Sequence, residues 1–277
     1  MTDAASKWGQ TFAAAGADAM EGYDRILVPG LFTPWTQVVL DLVAPKPGER
    51  ALDVATGTGV VARALAERLG AEGYVRATDL SAGMLAVARA KPALPGAAPI
   101  EFAESVAAPL DAETDGFDVI TCHHGLQFFP DKAQALREMD RAAAPNGRIV
   151  VAVWDRIETI PAFAALQGLV RRFLGDDAAS RYLGPFSCSA DDLESAAHEA
   201  SLGDFTVRTM EHPVWFASPE ALVDTLPFSG VAADVQAMPA PDRARMREEA
   251  AQAFADFVGD DGIVRCGSSA HVLLVNR

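Results

Sequence analysis

Three carboxylates stand where strand-like runs of this sequence end. Asp53 lies at the close of "RALDVA", just before the turn Ala55-Thr56-Gly57-Thr58-Gly59; Asp79 closes "YVRATD" and Glu104 closes "IEFAE". A glycine-rich turn lets backbone and ligand approach closely. An acid beside that turn serves a cationic ammonium or sulfonium well and an anionic pyrophosphate poorly. Asp79 falls 20 residues beyond Gly59, the usual spacing for a carboxylate that binds ribose hydroxyls. Glu104 is placed to accept a hydrogen bond from an adenine amino group. After "FDVITC" comes the pair His123-His124, whose imidazoles titrate near neutral pH. Either one can deprotonate a substrate, oriented by Asp155 at the end of "RIVVAVW". The plainer alternative is that both are hydrogen-bonded scaffold. Adjacent strand residues point to opposite faces, so only one of the pair is expected to enter a pocket.

Such residues need a scaffold that gathers strand ends. Between the apolar runs lie stretches with helical spacing: Val61, Leu65 and Leu69 share one face, with Gly70 as C-cap. Ser81 is an N-cap for "AGMLAVARAK" and Asp131 for "KAQALREMDRAA", which Pro145-Asn146-Gly147 is expected to stop. Strands alternating with helices imply a parallel sheet covered on both faces, with ligands beyond the carboxyl ends of its strands. The fold class read from this is α/β: a Rossmann-like, doubly wound, mostly parallel seven-stranded sheet with a C-terminal antiparallel strand, plus helical cap insertions. Residues 1–45 read as an N-terminal helical lid and 46–155 as the cofactor-binding core. Residues 156–189 read as a helical cap insertion and 190–217 as a core helix and strand. Residues 218–262 read as a second cap insertion, and 263–277 as the final core strand.

Bulk properties narrow the partners. The net charge of −15 (38 acidic against 23 basic residues) repels phosphate backbones and anionic lipid, so neither nucleic acid nor membrane is expected. Cys122, Cys188 and Cys266 are widely spaced and unpaired in pattern, as in a reducing compartment. The opening "MTDAASKWGQTF" has no signal-peptide pattern. A cytoplasmic monomer or homodimer acting on a small molecule is the expectation. Gly57 to Ala62 matches G-x-G-x-x-A, a weak sign of NAD, yet none of Tyr23, Tyr74 and Tyr182 has a Lys four residues on. No Gly-Lys-Ser/Thr follows the turn, which excludes a P-loop. No cluster of Asp suggests a metal, and no N/D-P-P-Y segment marks base or amide methylation. Acids at three successive strand ends suit a cationic amino-acid nucleoside such as S-adenosyl-L-methionine.

The stretch from Arg50 to about Asp155 resembles a class I S-adenosylmethionine-dependent methyltransferase. Asp53 to Gly59 matches the D-x-G-x-G-x-G loop, with Ala55 for the first glycine at little expected cost. Asp79-Leu80-Ser81-Ala82-Gly83-Met84 matches D-x-S-x-x-M, and Glu104-Ser105 stands where Asp-Ala is usual. "FDVITCHHGLQFFPD" and "PNGRIVVAVW" match the fourth strand with its loop and the fifth strand. "YDRILVPGLFTPW" is similar to the lead-in of bacterial methyltransferases of ubiquinone and menaquinone biosynthesis. The resemblance implies that backbone around Ala55, Thr56, Gly57 and Gly59 cradles the methionine and ribose. Asp79 would hold the ribose, Met84 or Leu80 would pack on adenine, and Glu104 and the Ser105 N–H would read its edge. Backbone around Cys122 and His123 would approach the methionine amino group, with Tyr23 and Trp35 closing over the cofactor. Gln127 stands where the family often has His. The acceptor implied is small and hydrophobic: aromatic, quinone-like or polyketide-like, methylated on oxygen or carbon rather than nitrogen. A protein that binds the cofactor without methyl transfer, and a nicotinamide-dependent reductase, are the alternatives.

Overall fold

The computed structural model describes residues 3–277, with side chains from Trp8 onward; Met1 and Thr2 of the expected lid lie outside the described residues. Strands β1 (Arg50–Val54), β2 (Tyr74–Asp79), β3 (Ile100–Glu104), β4 (Phe117–His123), β5 (Ala143–Trp154), β6 (Asp204–Phe216) and β7 (Val264–Asn276) form one sheet. Their order is β3-β2-β1-β4-β5-β7-β6. Neighbours from β3 through β5 run parallel, and β7 pairs antiparallel with both β5 and β6. The mostly parallel sheet with a C-terminal antiparallel strand is therefore present. Strand order reverses between β1 and β4, the place where such sheets bind ligands.

The strands read as unbroken apolar runs because both faces are covered. In β5, Val150, Ala152 and Trp154 enter one core cluster, while Ile149, Val151 and Val153 enter the other. Helices α3 (Thr33–Val43), α4 (Val60–Leu69) and α7 (Pro161–Leu174) contribute to the first. Helices α6 (Lys132–Ala142) and α9 (Ala190–Glu199) contribute to the second. Local signals set the helix ends. Gly70 caps α4 at φ 68°, Ser81 Oγ accepts the Met84 N–H at 3.2 Å, and Asp131 Oδ1 accepts the Gln134 N–H at 2.8 Å. One stop signal acts differently from expectation. Helix α6 ends at Ala142, and Pro145-Asn146-Gly147 lies inside β5. There Asn146, at φ 66°, accompanies a slip in the β4–β5 register between the pairs Phe117–Ala143 and Val119–Arg148.

The N-terminal helices α1 (Asp3–Ala14) and α2 (Ala17–Ile26) lie over α5 (Ala82–Ala90). The approach is close: Ser81 Oγ donates to the Phe12 carbonyl at 2.8 Å, and a Cβ on Gly83 would sit 2.3 Å from the Ala15 carbonyl oxygen. Lys91 Nζ donates both to Asp24 on α2, at 2.6 Å, and to the Thr58 carbonyl, at 2.9 Å. Those bonds tie the N-terminal segment to the glycine turn. Helix α8 (Asp176–Tyr182) follows α7, while α10 (Pro219–Val223), α11 (Ala232–Ala237) and α12 (Ala240–Ala253) lie between β6 and β7. No single helix among the described residues is long and apolar enough to cross a membrane.

Candidate active site

A cavity of about 460 Å³ lies at the carboxyl ends of β1, β2 and β4. Asp53, Ala55, Thr56, Gly57, Asp79, Leu80, Met84 and Ser105 line one end of it. The turn after β1 takes left-handed backbone at both Ala55 (φ 56°) and Gly57 (φ 57°). That shape costs an alanine roughly 1 kcal/mol or more, so the Ala55 replacement is dearer than the sequence suggests. A Cβ at Gly57 would touch nothing within 4 Å, which leaves the turn open to a ligand.

Asp53 is buried and accepts the hydroxyls of Thr56 (2.6 Å) and Thr121 (2.7 Å). Burial pushes its carboxyl up to about 6 against the pull of those hydroxyls, and the charge of Asp79 adds to the rise. Asp79 accepts the N–H groups of Gly57 and Ser81, both at 2.8 Å, and burial likewise holds its carboxyl above the usual range. Each Asp79 oxygen keeps lone-pair capacity for a further donor. No Lys or Arg is among the described residues that line the cavity. The two acids thus face a space without a counter-charge, and a sulfonium or ammonium group fits that demand.

Several expected contacts lie elsewhere. Gly59 opens α4 at φ 84°, and its α-carbon faces Ala88 and Phe102 instead of the cavity. Glu104 is exposed and outside the lining. Of the pair whose backbone was expected at the methionine amino group, His123 lines the cavity and Cys122 does not; the Cys122 side chain is buried in the opposite core. Trp35 is sealed in the core, its Nε1 donating to Ser268 Oγ at 2.8 Å, so it closes over nothing. Tyr23 does line the cavity, edge-on to Phe12. Sequence reasoning passed over Val106. Among the described residues, it and Leu80 are the large apolar side chains left most exposed, at 43% and 49%, and both line the cavity. The available signal was an apolar residue directly after the strand-end pair Glu104-Ser105.

Both histidines also line the cavity. His124 falls just past β4 at φ 56°, and this left-handed turn brings its ring to the same side as that of His123. The strand alternation behind the one-of-two expectation has already ended there. The His124 ring stacks on Trp154, with centroids 3.5 Å apart and planes within 5°. His123 Nε2, both ring nitrogens of His124 and Gln127 Nε2 are buried without partners. Neither histidine ring is therefore the hydrogen-bonded scaffold piece the sequence allowed. Each unpaired group costs on the order of 1–3 kcal/mol until a ligand meets it. Burial lowers His123 to about 3 and His124 well below its ordinary value, so both rings are neutral at physiological pH.

Asp155 orients neither of them. Trp154 faces the cavity, so the next residue turns to the opposite face. There Asp155 Oδ1 lies 3.1 Å from His271 Nε2, and Oδ2 accepts from Ser269 Oγ at 2.9 Å. The remaining wall is aromatic and comes from distant segments: Phe32 after α2, Phe163 on α7, Tyr182 on α8, then Phe186 and Phe228.

The model of the ubiE/COQ5 methyltransferase family matches residues 14–175. The chain belongs to that family. A ubiquinone/menaquinone biosynthesis C-methyltransferase of Cupriavidus taiwanensis is 31% identical over 191 residues, 66% of this chain and 74% of the relative. Its counterpart in Stenotrophomonas maltophilia is 34% identical over 163 residues, 56% of this chain and 64% of the relative. Among solved structures, phosphoethanolamine N-methyltransferase 2 of Haemonchus contortus with S-adenosyl-L-methionine superposes with a TM-score of 0.59 at 18% identity, over 97% of this chain and 60% of that one. The YcgJ protein of Bacillus subtilis gives 0.56 at 18% identity, over 87% of this chain and 97% of that one. These two likenesses establish the fold.

The chain is thus an S-adenosylmethionine-dependent methyltransferase with a small-molecule acceptor. The reductase and the non-methylating alternatives fall with that finding. Cofactor affinity of this methyltransferase should depend on pH through Asp53. A cation prefers the ionised carboxylate, so affinity is expected to rise up to about tenfold per pH unit as pH climbs toward about 6, then level off. Calorimetry between about pH 5 and about pH 7 checks this, and Asp53→Asn should flatten the curve. Without cofactor the sign for stability is the reverse. The raised Asp53 favours the folded state below its unfolded value of 3.8, and this contribution is lost as pH rises through about 6.

Proposed function

We propose that this methyltransferase moves the methyl group of S-adenosylmethionine to a ring carbon or a hydroxyl oxygen of a small, hydrophobic, quinol-like aromatic acceptor. In this reading Asp53 faces the methionine ammonium and Asp79 takes the ribose hydroxyls. Leu80 and Val106 flank adenine, with Met84 behind it; the Ser105 N–H expected at its edge is instead spent on the Asp79 carbonyl, at 3.0 Å. The observation that carries the acceptor class is the aromatic lining of the same cavity, which includes Phe32, Phe163, Tyr182 and Phe228. The printed names of the relatives, ubiquinone/menaquinone biosynthesis C-methyltransferases, favour carbon over oxygen. The strongly acidic composition supports a role apart from nucleic acid and anionic membrane surfaces.

Methyl transfer from a sulfonium is an in-line displacement at an activated carbon, so much of the rate comes from holding the partners in line. An imidazole whose pKa lies near 3 is a weak proton acceptor at neutral pH, and His123 acts here as a hydrogen-bond partner more than as a base. Reduced 1,4-naphthoquinone with S-adenosylmethionine tests the reading. S-adenosylhomocysteine release should accompany one added methyl, and proton spectra should place it on the ring or on oxygen. His123→Gln is expected to slow turnover about tenfold, below the roughly 100- to 10,000-fold range for loss of a general base. Absence of release from any neutral aromatic acceptor, with phosphoethanolamine turned over instead, would overturn the proposal.

A further inference from the structure

Gln127 is oriented by its neighbour. Its Oε1 accepts the backbone N–H of Trp154 at 3.3 Å, leaving its Nε2 buried without a partner beside the two histidines. His123, His124 and Gln127 are 8%, 4% and 1% exposed, and all three line the cavity. Together they offer the two N–H donors of an amide, and one N–H and one lone pair from each neutral imidazole. Such a set suits a group that both gives and takes hydrogen bonds, as a phenol-type hydroxyl does. A carboxylate or phosphate placed there would lose its water and find no Lys or Arg among the described lining residues, with Asp53 and Asp79 in the same space.

We propose that Gln127, with His123 and His124, is a specificity-determining polar seat that takes the oxygen of an uncharged aromatic acceptor and rejects anionic analogues of the same shape. This rests on the reading of the cavity as the site of an aromatic acceptor. The family match ends at residue 175, so Tyr182 and Phe228 of the cavity lining lie beyond it. Gln127 lies inside the match, at a position where the sequence resemblance leads one to expect His.

The test is binding without turnover. The protein saturated with S-adenosylhomocysteine is titrated at neutral pH with 2-naphthol, 2-naphthoate and naphthalene, by calorimetry or by quenching of Trp fluorescence. Naphthol is expected to bind at least about tenfold more tightly than either of the others, the size of one buried hydrogen bond to a neutral group. Gln127→Leu should weaken naphthol about tenfold and leave naphthalene within about twofold. Gln127→Met, close to glutamine in length and without amide donors, should show the same loss if the leucine variant folds poorly. Equal affinity for naphthol and naphthoate, an unchanged naphthol preference in the folded variants, or no binding of naphthol would each overturn the seat. If the selectivity holds but no aromatic acceptor yields S-adenosylhomocysteine, the proposed reaction fails and the seat stands.

Discussion

Asp79→Ala is expected to weaken S-adenosylmethionine binding by roughly 100- to 1,000-fold while leaving the fold largely intact. The carboxylate has two tasks. It accepts the N–H groups of Gly57 and Ser81, which pins the glycine turn against the start of α5, and in the proposed reading its remaining lone pairs take the ribose hydroxyls. Hydrogen bonds to a charged group contribute about 1.5–3 kcal/mol each, so losing two at the ligand, each near the lower end of that range, removes about 3–4 kcal/mol of binding. The position is partly exposed, so water can reach the freed N–H groups and the folding penalty stays small. Asp79→Asn keeps one acceptor oxygen and should fall between the two. Calorimetry with the cofactor decides it, and an alanine variant within about fivefold of the parent would remove Asp79 from the site.

Trp35→Ala should cost about 3–5 kcal/mol of stability, the range for truncating a buried large aromatic residue. The indole is fully buried and meets His124, Trp154 and His212 edge-on, with centroids 5.9, 5.9 and 5.8 Å away. Its Nε1 donates to Ser268 Oγ, which itself donates to the His212 carbonyl at 2.6 Å, so the serine retains one partner after the change. Trp35→Phe should recover most of the loss. Urea unfolding measures the effect. Cofactor affinity of the folded fraction should shift by less than about threefold, because the indole does not reach the cavity. A large loss of affinity with little loss of stability would restore the lid role that the sequence suggested.

The sheet was legible because each of its devices is local. The apolar runs of β1 to β5, Gly70 as a C-cap, and Ser81 and Asp131 as N-caps all act within a few residues. The strand-end acids Asp53 and Asp79 were legible, since a strand end and the turn beside it are sequence neighbours. The aromatic lining proposed for the acceptor was not. Phe32, Phe163, Tyr182 and Phe228 come from four separate stretches, and no spacing rule links them. Asp155 misled because its partner, His271, lies on a strand more than a hundred residues away that inserts beside β5. The pairing of the two histidines was missed for a different reason. Alternation holds only while the backbone stays extended, and nothing in "CHHG" announces that it reverses at the second histidine.

Ala55 after β1 and His124 after β4 both sit in a backbone shape that glycine adopts more easily. A directed-evolution campaign scored on heat tolerance alone would be drawn to glycine at position 124. That exchange relieves the torsion and removes two stranded ring nitrogens in one step. The hardier enzyme so obtained would have lost one wall of its reaction chamber, so any thermostabilisation of this scaffold has to be screened for turnover in the same round.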